Sequence, residues 1–234
     1  MGCNGMATSE HPLVSMAGVQ VLLDGGNAFD AAVCMAAFLG VVQPYMSGLG
    51  GTGVALLHVA QGKASRVLNF SGKAPAAAEP GRFTSEGLER GPISPLVPGC
   101  VAGWLALHDR YGTLDTEALF GPAIRYAEDG FPATELYSAV VQRHSSRLIP
   151  YKSSVREILG FDGVGPRPGD RVRRPRLAKS LRTIAKNGAE VFYQGEMAGH
   201  IVNATREVGG LLTLDDLASY TVEWQDPISV NYRG

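Results

Sequence analysis

The sequence predicts an α+β fold from the number and placement of its helix and strand patterns. Helix patterns outnumber strand patterns, and the strand patterns fall within residues 54–70 and 222–232, toward the two ends of the chain. Separate groups of helices and strands are typical of α+β domains, whereas regular alternation indicates a parallel sheet. We expect the 234 residues to form a single partial domain, residues 1–234, whose sheet this chain does not complete.

The first half of the chain is predicted to begin with two helices and a β-hairpin. Pro12 suits the first turn of a helix that ends near Leu23, and Asn27 can cap a second helix over 28–42. Residues 54–59 and 65–70 flank a short turn and predict the hairpin. The remaining predictions for this half are a strand at 5–9, an irregular segment at 74–98 and a helix at 101–111.

The second half is predicted to be mostly helical. Helices are expected at 116–129, 136–148, 177–187, 197–208 and 214–219, and strands at 222–224 and 228–232. The loop 160–175 and the helix after it hold a cluster of arginines and lysines. No aromatic residue lies between Phe161 and Phe192, so we expect a solvated basic surface rather than a nucleic-acid interface.

Composition excludes several classes of protein. Apolar residues make up 45% of the chain and charged residues 18%, which is typical of globular domains. The formal net charge of −1 gives no overall field that would attract nucleic acid or a membrane surface. The apolar run 31–42 is too short to span a bilayer and predicts a buried helix. We therefore expect neither a nucleic-acid partner nor a membrane span.

The cysteines bear on metal binding and on the cellular compartment. Cys3, Cys34 and Cys100 are odd in number and show no spacing typical of a metal site, so no metal and no cofactor are expected. Cys34 is predicted to pack as a small apolar residue. A reducing, cytoplasmic location is the expectation. A periplasmic or secreted location stays open, because a leader could precede Met1.

A glycine-rich segment, Ser47–Gly53, separates the apolar helix from the first strand. Gly48, Gly50 and Gly53 match the dinucleotide fingerprint G-x-G-x-x-G, which makes a nucleotide-binding domain using Gly48–Gly53 an alternative from another functional class. That fingerprint needs a strand before the glycines and a helix after them, because the helix N-terminus binds the pyrophosphate. Here the order is reversed, so a structural glycine turn is the better interpretation.

No nucleophile, metalloprotease or phosphate-loop motif identifies a catalytic residue. Amidases that cleave themselves expose a Thr, Ser or Cys as a new N-terminus, whose own amine then acts as the base. Thr52 and Thr113 each follow a glycine and are candidates for this role, with Thr52 in the better context. Neither carries a motif beyond that, and no catalytic residue is assigned in this chain.

Several ordered motifs together resemble the large subunit of the γ-glutamyltransferase (γ-glutamyltranspeptidase) family, and they span nearly the whole chain. In chain order they are Thr8–Leu13, Gly25–Val33, Ser47–Gly53, Val97–Trp104, Tyr111-Gly112, Pro122–Phe131, Gly209–Thr213, Asp216–Tyr220 and Tyr232–Gly234.

The resemblance implies an N-terminal-nucleophile hydrolase with an αββα sandwich, incomplete in this chain. In that family the precursor cuts itself before a Thr, and the small subunit carries the nucleophile. This chain ends before a Thr-Thr-His type cleavage motif, so it is expected to be an N-terminal part of the large subunit, inactive alone. Its expected partners are the remainder of the large subunit, the small subunit and a small-molecule amide substrate.

The resemblance also points to an acyl-binding segment, and there this chain departs from the transferases. They carry an Arg, in a segment resembling F-R-E-x-A-P, that binds the α-carboxylate of the γ-glutamyl group. Here the segment is Phe70–Pro75, with Ser71 at the position of the Arg and Lys73 two residues later. Ser71, Gly72 and Lys73 are therefore the predicted substrate-binding residues. The S-G-x-A-P form resembles oxamate amidohydrolase and cephalosporin-acylase-like members, so a short-acyl amide hydrolase is the alternative to γ-glutamyl chemistry.

Overall fold

The computed structural model describes residues 2–160 and 163–233. In chain order the helices are α1 (Pro12–Leu23), α2 (Ala28–Val42), α3 (Ser85–Glu89), α4 (Cys100–Tyr111), α5 (Thr116–Asp129), α6 (Glu135–Leu148), α7 (Lys152–Ser154), α8 (Pro175–Asn187), α9 (Glu190–Tyr193), α10 (Glu196–Glu207) and α11 (Leu214–Ala218). The strands are β1 (Gly53–Val59), β2 (Ala64–Phe70), β3 (Phe131–Pro132), β4 (Arg171–Val172) and β5 (Glu223–Gln225).

Contacts among these residues define two units. The first comprises residues 1–48 and 111–186, and the second comprises residues 49–110 and 187–234. Helices and a small antiparallel sheet occur in both units, in agreement with the predicted α+β class. That residues 1–234 act as one partial domain of a larger fold stays a prediction.

The first unit is built around α2, which packs on α1 and α5. Asn27 caps α2 as predicted, because its Oδ1 accepts from the backbone N–H of Phe29 and Asp30. The Asp30 carboxylate, itself fully buried, accepts from Asn27 N at 2.9 Å and from Thr113 Oγ1 at 2.6 Å. This network joins the start of α2 to the segment before α5.

The second unit is built around the antiparallel sheet β1–β2–β5. The predicted hairpin is confirmed, with β1 and β2 paired from Gly53 opposite Phe70 to Val59 opposite Ala64. Leu57, Leu68 and Phe70 are buried on one face of the sheet. On β1, Val54 and Leu56 point the other way and are 60% and 72% exposed, so one sheet face leaves apolar side chains uncovered.

The sequence-based strand predictions fail at two places. Residues 228–232 form no strand, and Ile228 and Val230 are almost fully exposed, so an alternating apolar pattern found neither a paired strand nor a core. Residues 5–9 likewise form no strand. Conversely, the two-residue strands β3 and β4 pair with each other and were not predicted, because such short segments carry no periodicity.

The arginine-rich segment differs from its prediction at one residue. Residues 161 and 162 of the predicted loop 160–175 lie outside the described residues. Arg171, Arg173 and Arg176 are solvent-exposed, as expected, but Arg174 is only 6% exposed. Its Nη2 donates to the Tyr137 hydroxyl at 2.8 Å, so this guanidinium belongs to the interior of the first unit rather than to a basic surface.

The described part of the chain offers neither a membrane span nor a metal cluster. None of its helices combines the length and the apolar character that crossing a membrane requires. Within residues 2–160 and 163–233 no group of three or more His, Cys, Asp or Glu side chains is arranged to hold a metal ion.

Candidate functional site

The predicted substrate-binding residues lie together directly after β2, in the second unit. We call Ser71, Gly72 and Lys73 the site strip. They line a shallow depression of about 50 Å³. The other residues that line it are Asn69, Tyr220, Thr221 and Glu223.

The backbone of the site strip turns at Gly72, and only glycine fits there. Its φ is +85°, a conformation that residues with a side chain rarely adopt. A Cβ at this position would also lie 2.7 Å from the carbonyl oxygen of Val97 and 2.8 Å from Cγ2 of Thr52. Gly72 therefore ends the extended course of β2 and brings the strip against the Leu96–Val97 segment.

Three hydrogen bonds fix the course of the chain from Ser71 to Ala76. The Ser71 N–H donates to Asn69 Oδ1 at 3.0 Å, and the Lys73 carbonyl accepts from Val97 N at 2.9 Å. The Ala76 N–H donates to Asp216 Oδ1 at 2.8 Å. The strip is thus held through its backbone, which leaves the side chains of Ser71 and Lys73 available to a ligand.

The side chains of the strip face solvent. Ser71 and Lys73 are both exposed, and the ammonium group of Lys73 has no carboxylate within 4.0 Å among the described residues. Glu223, on β5, supplies a carboxylate to the same depression and accepts from Gln225 Nε2 at 3.0 Å. The depression therefore offers hydroxyl groups, one cation and one anion, without the planar guanidinium fork that pairs with a carboxylate in two hydrogen bonds.

Two stacked tyrosines support the depression. The rings of Tyr193 and Tyr220 stack with centroids 5.7 Å apart. The buried Tyr193 hydroxyl donates to the Pro98 carbonyl at 2.8 Å and accepts from Ala102 N at 3.1 Å, and burial raises its pKa. Burial also raises the pKa of Tyr220, against the opposing effect of the Gly72 backbone N–H. Both phenols are neutral at physiological pH, and they act as fixed packing surfaces.

The glycine-rich segment is structural, and the nucleotide-binding alternative for Gly48–Gly53 is not supported. Helix α2 precedes the glycines and β1 follows them, the reverse of the order that a pyrophosphate site needs. The carbonyl of Gly51 accepts from the backbone N–H of Gly99 and Cys100, at 2.9 and 3.0 Å. The segment thereby joins the start of β1 to the N-terminus of α4.

The two candidate nucleophilic threonines have structural environments. Thr52 lies beside Gly72, where its methyl group limits the space at the strip. The Thr113 hydroxyl donates to the buried Asp30 carboxylate at 2.6 Å, so it is committed to that contact. Neither environment indicates a catalytic role, and the absence of a catalytic residue from this chain stays a prediction.

Sequence reasoning missed four residues of the depression: Asn69, Tyr220, Thr221 and Glu223. Asn69 lies on β2, whereas Tyr220, Thr221 and Glu223 lie more than 140 residues later in the chain. The pairing of β2 with β5 brings these two groups together. The sequence predicted a helix at 214–219 but not the contact that Asp216 makes with Ala76.

A larger cleft of about 690 Å³ lies in the first unit and carries no functional assignment. Its charged lining residues are Arg156, Glu157, Asp170, Arg171 and Arg173. Both signs of charge occur there, and Glu157 forms an ion pair with Arg176 at 3.5 Å.

Comparison with known proteins identifies the family. The family model for gamma-glutamyltranspeptidase matches residues 14–234. A glutathione hydrolase-like proenzyme of Bacillus subtilis is 37% identical over all of this chain and 45% of its own length. The gamma-glutamyltranspeptidase of Helicobacter pylori is 36% identical with a TM-score of 0.95, over all of this chain and 69% of the solved one.

A solved cephalosporin acylase from Bacillus halodurans is also similar. It is 35% identical with a TM-score of 0.88, and the match covers 99% of this chain and 45% of the solved one. The chain thus spans less than half the length of the curated relatives that it matches. The predicted N-terminal-nucleophile hydrolase fold agrees with these neighbours. On the extent of the family match and the identity of its relatives, this chain belongs to the gamma-glutamyltranspeptidase family.

Proposed function

We propose that this chain is an N-terminal portion of the large subunit of a self-processing N-terminal-nucleophile amidase. The whole enzyme would hydrolyse or transfer a γ-glutamyl-like acyl group, through an acyl-enzyme on a Thr outside this chain. The site strip Ser71–Gly72–Lys73 would contact the acyl side of the substrate. The observation that carries this proposal is the exposed, backbone-anchored strip beside the β1–β2 hairpin, in a chain of this family.

Cleavage of a precursor is supported by the relatives. Several of the curated relatives are described as proenzymes, and these are 31–37% identical to this chain, which covers less than half of each of them. This chain covers a larger share, 69%, of the solved Helicobacter chain. Under the proposal, the missing partners are the rest of the large subunit and the small subunit that carries the nucleophile.

A second candidate is a short-acyl or oxamate-type amide hydrolase of the same superfamily. Ser71 and Lys73 favour it, because a hydroxyl and a flexible ammonium group cannot replace the bidentate guanidinium that grips an α-carboxylate. A solved neighbour described as a cephalosporin acylase supports an acyl group other than γ-glutamyl. Both candidates share the acyl-enzyme chemistry and differ only in the acyl group.

We also propose a cytoplasmic location, because a reducing compartment keeps cysteines as free thiols. Cys3, Cys34 and Cys100 are free thiols. Burial raises the pKa of Cys34 to about 12 and that of Cys100 to about 11, so both stay protonated and unreactive.

The proposal is tested by sequencing the gene beyond the codon for Gly234 and by assaying two proteins. This chain alone should show no turnover of a γ-glutamyl anilide or an oxamate-type amide. The complete gene product should cut itself before a Thr and then become active. Replacing that Thr with Ala should abolish both cleavage and activity, and replacing a neighbouring Thr is the matched control. Robust turnover by residues 1–234 alone would overturn the proposal.

A further inference from the structure

The Asp216 side chain of helix α11 accepts a hydrogen bond from Ala76, in the chain that follows the site strip. We infer that Asp216 is a positioning residue for the site strip, holding the Ala76 end so that Ser71 and Lys73 face the acyl group. The inference rests on the proposed function for its kinetic consequence. Its structural part stands on the contacts of Asp216 alone.

The two carboxylate oxygens of Asp216 have different partners. Oδ2 accepts from Thr213 N at 2.9 Å and from Thr213 Oγ1 at 2.6 Å, which closes the capping box of α11. Oδ1 accepts from Ala76 N at 2.8 Å, across 140 residues of sequence. Capping α11 would need only the first oxygen. The second oxygen reaches outside the helix and holds the chain three residues beyond Lys73.

The chain between β2 and α3 depends on this contact because it has few others. β2 ends at Phe70, so the strip lies outside the sheet ladder. From Ser71 to Ala76, the described hydrogen bonds to more distant residues are one from Val97 N to the Lys73 carbonyl, one from Ala76 N to Asp216, and one from the Gly72 N–H to the Tyr220 hydroxyl. Only the second involves a charged side chain. Hydrogen bonds to a charged group contribute about twice as much as neutral ones.

The segment that directly follows α11 forms part of the wall of the depression. Tyr220 follows Asp216 by four residues, one turn further along, and its N–H donates to the Leu217 carbonyl at 3.1 Å. Leu217 is fully buried and anchors the helix, while the Tyr220 ring lines the depression and stacks on Tyr193. A shift of α11 would therefore move the Ala76 end of the strip and the tyrosine wall together.

Asp216 is ionised at neutral pH, as this role requires. Partial burial by itself raises the pKa of its carboxyl group. The hydrogen bonds from the Thr213 hydroxyl and from the backbone N–H of Ala76 and Thr213 oppose that effect and hold the pKa below its usual value. Asp216 is therefore negatively charged where it accepts hydrogen bonds from Thr213 and from Ala76.

Hydrogen–deuterium exchange of the full-length protein separates the positioning role from helix capping. Asp216→Asn weakens both contacts, Thr213→Ala weakens the cap alone, and Asp215→Asn changes the adjacent exposed carboxylate as a control. We expect the peptide that contains Ala76 to exchange about tenfold faster or more in Asp216→Asn, with a much smaller change in Thr213→Ala and none in Asp215→Asn. Equal exchange in Asp216→Asn and Thr213→Ala would overturn the inference.

Steady-state kinetics of the processed enzyme supply the second readout. Asp216→Asn should raise KM for the acyl donor about tenfold while kcat changes less, because the nucleophile is untouched and the strip is misplaced. Asp215→Asn should match the wild type. A loss confined to kcat, with KM unchanged, would contradict positioning. If the wild type turns over no acyl donor, the proposed function fails, whereas the exchange experiment still decides the role of Asp216.

Discussion

Asp30 Oδ2 accepts a 2.6 Å hydrogen bond from Thr113 Oγ1, across 83 positions of sequence. Asp30 Oδ1 accepts from the Thr113 N–H at 2.9 Å, so one residue satisfies both oxygens of a buried carboxylate. The same carboxylate receives the Asn27 N–H at the start of α2. A buried charge is tolerated here because each oxygen has N–H or O–H donors aimed at it.

Replacing Thr113 with Val should therefore destabilise the chain. The hydroxyl donor is lost while the carboxylate stays buried, at a cost of about 1.5–3 kcal/mol in the free energy of unfolding. Thr116→Val is the matched control, because the Thr116 hydroxyl donates to a neutral acceptor, the Ala185 carbonyl, at 2.8 Å. Urea unfolding should show a loss of only about 1 kcal/mol for the control. Equal losses for the two variants would show that the Asp30 charge adds nothing.

The same carboxylate should make stability depend on acid pH. Burial by itself raises the pKa of Asp30, but the hydrogen bonds from Thr113, Asn27 and Leu114 outweigh it and hold the folded-state pKa below the ordinary 3.8. The unfolded state therefore binds the proton first as the pH falls. The stabilisation is complete above the unfolded-state pKa and is lost as the pH falls through the folded-state value.

Urea midpoints measured from roughly pH 3 to pH 7 should decline on the acid side in the wild type. Asp30→Asn should be less stable at neutral pH, and its urea midpoint should fall less steeply as the pH is lowered. Asp215→Asn, an exposed carboxylate in the second unit, serves as the control. If the urea midpoint falls as steeply toward acid pH in Asp30→Asn as in the wild type, this carboxylate is not the origin of the pH dependence.

Gly72→Ala should disrupt the site strip more than a glycine substitution with the same backbone strain elsewhere. Gly91 has a φ of +103°, and no heavy atom lies within 4 Å of the place that a Cβ would take there. Gly91→Ala therefore measures the backbone cost alone, about 1–2 kcal/mol. Gly72→Ala adds the clash with the Val97 carbonyl, for a total of about 2–5 kcal/mol. Thermal unfolding of the two variants compares them directly. A smaller loss at Gly72 than at Gly91 would contradict the described geometry.

The uncovered face of β1 should make residues 1–234 self-associate when expressed alone. Val54 and Leu56 leave exposed apolar area on the sheet, and β1 is an edge strand among the described strands. Leu56→Lys should reduce association, as measured by light scattering. Val208→Lys is the control, since Val208 is also exposed but lies at the end of α10. A monomeric, cooperatively unfolding wild-type chain would refute this prediction.

Local signals in the sequence predicted most of the helices. Asn27 caps α2 as predicted and forms a capping box with Asp30, and Thr213 and Asp216 form a capping box at the predicted helix α11. The hairpin β1–β2 followed from two apolar runs and a short turn. These features depend on residues close together in sequence, where capping, periodicity and glycine preferences act directly.

The features that the sequence did not predict depend on distant pairing. β5 is limited to Glu223–Gln225 because β2 pairs with that segment alone, so the apolar alternation at 228–232 gave a strand prediction without a partner strand. The burial of Arg174 likewise depends on Tyr137, 37 residues away. The site strip was predicted from a family resemblance, whereas its Asp216 and Tyr220 contacts follow only from the folded chain.

The measurement that tests the central claim most directly is kcat/KM of the full-length enzyme on γ-glutamyl and oxamate-type amides, for the wild type, Ser71→Arg and Lys73→Ala. The account predicts that the wild type uses γ-glutamyl donors poorly and short-acyl amides relatively better. Ser71→Arg should raise kcat/KM for γ-glutamyl donors roughly ten- to a hundredfold, because a charge-assisted pair contributes about 1.5–3 kcal/mol. If the wild type already prefers γ-glutamyl donors, and neither substitution changes that preference, the site strip does not determine specificity for the acyl group.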